Sequence, residues 1–227
     1  MKSLNPTCNF LQRITLRIFA DYRVEGKENV PPMGPIIIVA NHCSNFDPPL
    51  LSTSLPRRVR FLAKREMFKN PFFRWFFTSY GAHPVNREGL DITAYKWMLE
   101  QLSKDAALVI FPEGTRSRGG GMKRALPGVT QVAIKSQATI LPVAITGTEK
   151  LGSWLRVFNP TGKIRVKIGQ PFTLPIIEGK PDRVVLDSMT DMIMGRIAMM
   201  LPESYQGVYK QGAKASQAQA KADAPKQ

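Results

Sequence analysis

Cysteine is scarce. Cys8 and Cys43 are the only two in 227 residues, enough for one bridge at most, which excludes a disulfide-built scaffold. Histidine is equally scarce, with His42 and His83, so the chain offers no convincing metal-ligand set, and no metal or resident cofactor is expected. Long apolar runs are missing too. No stretch approaches the roughly 20 residues a spanning helix needs. The best candidate, Phe10 to Tyr22, is broken by Arg13, Arg17 and Asp21. No uninterrupted apolar segment follows Lys2, so a secretory signal reads poorly and the chain is expected to stay in the cytoplasm, at most lying on a membrane. Acids are short as well: 17 against 32 Lys and Arg, a formal net charge of +15. Such an excess points to an anionic partner, whether nucleic acid, a bilayer, a phosphorylated small molecule or an acidic carrier protein.

What is present suits one globular domain. Hydrophobic residues make up 43% and charged residues 22%, close to the soluble average, so wholesale disorder is excluded. Phe10, Ile14, Ile18 and Tyr22 recur every four residues, with Arg13 and Arg17 off that stripe. This predicts an amphipathic helix, resting on a bilayer or docked on the protein's own core. Strands are predicted at 36–40, 59–63, 82–85 (weakened by Pro84), 107–111, 139–145 and 164–168. Helices are predicted from Asp47 as N-cap with Pro48 and Pro49 in its first turn, and over 92–102, 127–136 and 182–201. Strands alternating with helices predict a single α/β domain with a mixed, largely parallel central sheet flanked by helices. The expected organisation is a membrane-associating helix over 1–22, the domain over 23–204, and a disordered basic tail over 205–227.

Three clusters could carry chemistry. His42 directly follows a buried strand, and Asp47 stands five residues on at a helix start. A carboxylate bonded to one ring nitrogen fixes the tautomer and makes the other nitrogen more basic. Alternatively, Asp47 caps its helix and His42 fills a loop. FPEGTRS (111–117) also follows a strand, placing Arg116 beside Glu113, Thr115 and Ser117 on a turn shaped by Pro112 and Gly114. The guanidinium fork suits a phosphate, although a solvated basic loop would look the same. GAHPVNR ends in Arg87, a third cation at a strand end.

In this order the clusters resemble the glycerolipid acyltransferases of the 1-acylglycerol-3-phosphate acyltransferase type. NHCSNFD matches the family's His and Asp separated by four residues, Gly81 to Arg87 its second block, FPEGTRS its third, and ILPVAITG around Pro142 its fourth. The resemblance covers roughly residues 20 to 170. It implies that His42 is the general base, oriented by Asp47, and that Arg87, Glu113, Gly114, Thr115 and Arg116 bind the acceptor's phosphate. Arg87 and Arg116 are the direct anion ligands it favours, with Glu113 holding an arginine or shaping the turn. Lys64 resembles a basic position that supports the phosphate or the oxyanion. It implies acyl transfer from acyl-CoA or acyl carrier protein to the sn-2 hydroxyl of lysophosphatidic acid, without an acyl-enzyme. Other acceptors within the class are glycerol 3-phosphate or another lysophospholipid. Cys43 is read as a packing residue, because adjacent side chains diverge and His42 is poorly placed to activate it. His83 is read as packed.

From Arg57 to Arg74 there are seven basic residues and one acid, Glu66, running into the aromatic segment NPFFRWFFTSYG. With the first helix, this predicts a monotopic protein on the cytoplasmic, anionic face of a membrane. Two competing readings are a basic nucleic-acid-binding protein, which leaves His42, Asp47 and FPEGTRS unexplained, and a non-catalytic lipid binder, which the intact His and Asp disfavour.

Overall fold

The computed structural model of the chain describes residues 5–86, 89, 91–117, 119, 121–152, 156, 158–179 and 181–210. Its centre is the run IIIVA, which forms strand β2 (Ile36–Ala40), buried at every position. A continuous apolar run of this kind is what a strand covered on both faces requires. Beside it lie β5 (Ala107–Ile110) and β6 (Thr139–Thr146), both parallel to it. β3 (Val59–Lys64) pairs with β5 and with the edge strand β4 (Ala82–Val85), again in parallel. Pro84 is tolerated because β4 lies at the edge. β7 (Gly162–Ile168) runs antiparallel to β6, and β1 (Ala20–Glu25) closes the other edge, parallel to β7. The order is β1-β7-β6-β2-β5-β3-β4.

The alternation of β2 divides the core. Ile36, Ile38 and Ala40 pack with Leu16 of α1 (Asn5–Phe19), Leu50 and Leu51 of α2 (Asp47–Ser54), and Tyr80 of α3 (Pro71–Tyr80). Ile37 and Val39 face the opposite layer, with Met98 and Leu102 of α4 (Ile92–Leu102), Val129 and Val132 of α5 (Gly128–Ser136), and Ile193 and Ile197 of α6 (Arg183–Met200). This is the expected α/β domain, with the sheet buried between helical layers.

Helix ends follow local chemistry. Asn70 caps α3 by accepting from the backbone N–H groups of Phe72 and Phe73, and Gly81, at φ 105°, ends it in the left-handed region. α2 departs from expectation: Phe46 takes the N-cap position and the Asp47 side chain makes no cap bond. Pro48 and Pro49 have no N–H to be capped, which leaves the carboxylate of Asp47 to turn back onto residues 42–44.

Two boundaries differ from the sequence reading. The first helix ends at Phe19, and 20–22 belong to β1. Asp21 pairs with Arg165 at 2.5 Å, and the Tyr22 hydroxyl lies 2.7 Å from that of Ser54. An edge strand with alternate residues exposed has a weak apolar signal, which explains the misreading. At the other end, α7 (Glu203–Gln206) and the turn Gly207–Tyr209 belong to the folded domain, with Tyr209 buried, so the fold runs past 204. The rest of the expected tail, 211–227, lies outside the described residues.

The orientation of α1 is unusual. Its polar side meets the protein: Asn5 and Asn9 bond to Ser52, Gln12 accepts from Thr53, and the Tyr80 hydroxyl donates to Asn9. Apart from Leu16, its large apolar residues face outward, with Phe10 63% and Ile18 66% exposed and Leu11, Ile14 and Phe19 beside them. α3 likewise exposes Phe72, Phe73 and Trp75. Among the described residues no helix is long and apolar enough to cross a membrane.

Candidate active site

Five neighbouring strands, β6-β2-β5-β3-β4, run parallel, so their C-terminal ends share one edge of the sheet. In α/β folds this edge is where ligands are bound. The described segments that carry nominated residues leave from it. His42 follows β2, residues 111–117 follow β5, and Lys64 is the last residue of β3. Arg87 lies outside the described residues.

His42 and Asp47 are in contact. Nδ1 of His42 lies 2.8 Å from Asp47 Oδ2, with His42 7% and Asp47 0% exposed. The same oxygen accepts from the backbone N–H groups of Cys43 at 2.7 Å and Ser44 at 2.8 Å. Facing a carboxylate that already accepts backbone N–H groups, Nδ1 is the protonated ring nitrogen, which leaves Nε2 as the acceptor. Nε2 has no hydrogen-bond partner among the described residues. The ring stacks on Phe111, with centroids 4.2 Å apart. A pair so arranged can take a proton from a bound hydroxyl.

The 111–117 loop is stitched to His42 from both sides. The backbone N–H of His42 donates to Glu113 Oε1 at 3.0 Å, and Ser117 N–H donates to the His42 carbonyl at 2.7 Å. The other oxygen of Glu113 accepts from the Ser117 hydroxyl and from Lys123 N–H. Both oxygens of this buried carboxylate are thus engaged by donors of the chain itself, and Glu113 shapes the turn. Gly114 sits at φ 65°, a conformation that suits glycine. Thr115 is exposed and Arg116 half-buried, and the guanidinium of Arg116 has no partner among the described residues. Lys64 is exposed and pairs with Glu66 at 3.6 Å, and it makes no hydrogen bond or ion pair to His42, Asp47 or the 111–117 loop.

Cys43 is buried, and its Sγ accepts a bond from Asn41. Burial first, and then the charge of Asp47, push its thiol far up, away from thiolate character. His83 stacks on Trp97 at 4.4 Å, and burial pulls its pKa below the ordinary histidine value. No cluster that could hold a metal occurs among the described residues.

Two contributors escaped the sequence reading. Asn41 bridges the ends of β2 and β6, donating to the Ile145 carbonyl at 2.9 Å and accepting from its N–H at 2.8 Å. Thr148, just past β6, donates its hydroxyl to Asp47 Oδ1 at 2.6 Å. The fourth block, ILPVAITG, stops one residue short of Thr148, and the rule that strand ends carry sites would have found it.

A buried histidine–carboxylate pair beside an arginine-bearing turn, at the C-terminal edge of a parallel sheet, is an arrangement able to support general-base chemistry in an α/β enzyme. The chain belongs to the Acyltransferase family, whose model matches residues 21–146. It is 28% identical over 192 residues to a 1-acyl-sn-glycerol-3-phosphate acyltransferase of Bacillus subtilis, covering 84% of this chain and 93% of that one. It is 32% identical over 141 residues to the chloroplastic 1-acyl-sn-glycerol-3-phosphate acyltransferase LPAT1 of Arabidopsis thaliana, covering 61% of this chain and 39% of the longer plant protein. The fold is similar to the crystal structure of the 1-acyl-sn-glycerophosphate acyltransferase PlsC from Thermotoga maritima, with a TM-score of 0.67 and 27% identity over 95% of this chain and 80% of that one.

Proposed function

We propose that the protein transfers a fatty acyl group from a thioester donor to the sn-2 hydroxyl of 1-acylglycerol 3-phosphate, giving phosphatidic acid. The names of its relatives supply the acceptor. The observation that carries the chemistry is the 2.8 Å contact between His42 Nδ1 and Asp47. Nε2 of His42 takes the hydroxyl proton as the acceptor oxygen bonds to the thioester carbonyl carbon. The tetrahedral intermediate then expels the thiolate, the C–S bond breaks, and the proton on Nε2 passes to the sulfur. Asp47 stabilises the imidazolium between these steps. Arg116, whose guanidinium is unpaired among the described residues, and Arg87 are the groups we assign to the acceptor's phosphate, together with Thr115, the Gly114 backbone and Lys64.

The outward apolar faces of α1 and α3 support attachment to one leaflet of an anionic membrane, so that a single-chain acceptor reaches the site from the bilayer. Each Lys or Arg near such a surface contributes about 1 kcal/mol. The test is turnover by wild type and His42→Ala, offered lysophosphatidic acid or glycerol 3-phosphate with acyl-CoA or acyl carrier protein donor. Phosphatidic acid formed by wild type and lost in a folded His42→Ala supports the reading. Equal turnover by the variant removes His42 from the chemistry.

A further inference from the structure

The Asp47 carboxylate is held unevenly. On Oδ2 it accepts from Cys43 N–H, Ser44 N–H and His42 Nδ1, all within one short turn. On Oδ1 its donor among the described residues is the Thr148 hydroxyl, at 2.6 Å and 101 positions away in the chain. The terminal torsion of an aspartate is broad, so donors on one oxygen leave the carboxylate plane loosely fixed. A donor from the far side fixes it.

Thr148 is equipped for that task. It is wholly buried, and its β-branch restricts the side chain to few rotamers. Its turn is clamped by β7 and by Tyr205. Gly147, at φ 90°, lies so close to the Lys163 carbonyl that a Cβ there would collide with it. Gly147 N–H donates to Glu149 Oε2 at 3.0 Å and to the Tyr205 hydroxyl at 3.3 Å, while that hydroxyl donates to Glu149 Oε1 at 2.6 Å. The two bonds between Asn41 and Ile145 lock the strand end before Thr148 to the strand end before His42. The family match stops at residue 146, so Thr148, Glu149 and Tyr205 all lie beyond it.

We propose that Thr148 is a positioning residue, which holds the Asp47 carboxylate in the plane that faces His42 Nδ1 and so keeps Nε2 the acceptor. Tyr205 and Glu149, tying the turn to the C-terminal segment, keep Thr148 in place. The inference rests on the reading of His42 as general base. Without the hydroxyl the carboxylate rotates, Nδ1 loses its fixed partner, and the ring no longer keeps a single tautomer.

The test compares full-length wild type, Thr148→Val and Thr148→Ser by two readouts: the pH dependence of kcat, and the His42 ring signals in nitrogen-15 NMR. The chain has only two histidines, so the His42 signals are separable. For Thr148→Val the expected result is a fall in kcat of about 10-fold or more with KM for both substrates little changed. The His42 ring signals should show a mixture of tautomers in place of the single Nδ1–H form, and the kcat–pH profile should depart from that of wild type. Thr148→Ser, which keeps the donor, restores all three. If Thr148→Val does not fold, Thr148→Ala is read in the same way. The wild-type tautomer together with an unchanged kcat–pH profile overturns the inference, even where thermal stability has dropped. Because NMR reads the ring directly, failure of the general-base reading shows separately, as undiminished turnover in His42→Ala.

Discussion

Glu113 accepts a 3.0 Å hydrogen bond from the backbone N–H of His42, 71 positions earlier in the chain. Its second oxygen accepts from Ser117 and Lys123, so one buried carboxylate joins the turn bearing His42 to the loop bearing Arg116. A glutamine could still accept from His42 but would turn its NH2 toward two donors. Glu113→Gln is therefore expected to lose about 1–3 kcal/mol of stability in denaturant unfolding, and to lower turnover because two loops of the site separate. An unchanged unfolding midpoint would show that the bonds count for little.

Asp47→Asn keeps the shape of the side chain but not its acceptor set. An amide cannot accept from Cys43 N–H, Ser44 N–H, His42 Nδ1 and Thr148 with both of its atoms. The expected outcome is a fall in kcat of about 100-fold to 10,000-fold, seen in steady-state assays of protein that keeps its circular dichroism. Turnover within a few-fold of wild type would mean that Asp47 serves packing alone.

The outward stripe of α1 separates membrane attachment from folding. Phe10→Glu combined with Ile18→Glu, both exposed, is expected to abolish co-sedimentation with anionic vesicles while leaving the melting temperature close to wild type. Leu16→Ala, buried in the core, is expected to cost about 2–5 kcal/mol and to leave vesicle binding intact in protein that remains folded. Point substitutions serve better than truncation here, since removing residues 1–22 would take half of β1 away.

Both thiols are pushed up, principally by burial. A raised pKa means less thiolate at a given pH, so native protein at pH 8 should react slowly with a thiol-specific reagent at Cys8 and Cys43, and both should react promptly in denaturant. Cys43→Ala should keep turnover within a few-fold of wild type. Loss of activity together with a trapped acyl-thioester would reveal a covalent route instead.

Asp91 accepts from the N–H groups of Asn86 and Ala94, which hold its carboxyl below the usual range, and it caps α4. Because the folded value is the lower one, its contribution is complete above the unfolded value of about 3.9 and is lost as pH falls through the folded value. Asp91→Ala should therefore cost about 0.5–2 kcal/mol at pH 7, and the gap to wild type should narrow in melts at pH 3 and below. A gap independent of pH would assign the loss to packing.

Much of the architecture was legible in the sequence by itself, because period and capping are local properties. The apolar runs read at 36–40, 107–111 and 139–145 became the central strands β2, β5 and β6, each within one residue of its bounds, and spacings of three and four gave α4 and α6. His42 and Asp47, five residues apart, needed only one turn to meet. β1 was missed, since an edge strand with alternating charges carries little apolar signal. The outward turn of α1 could not be read either: amphipathicity defines a stripe, and only the polar partners on α2 and α3 decided that Asn9 and Gln12 face inward while Phe10 and Ile18 face out. The same limit hid the site's supports. Glu113 and Thr148 reach the His–Asp turn across 71 and 101 positions. The partner of a buried polar atom is set by which strand ends the sheet order brings side by side, and no local pattern encodes that order.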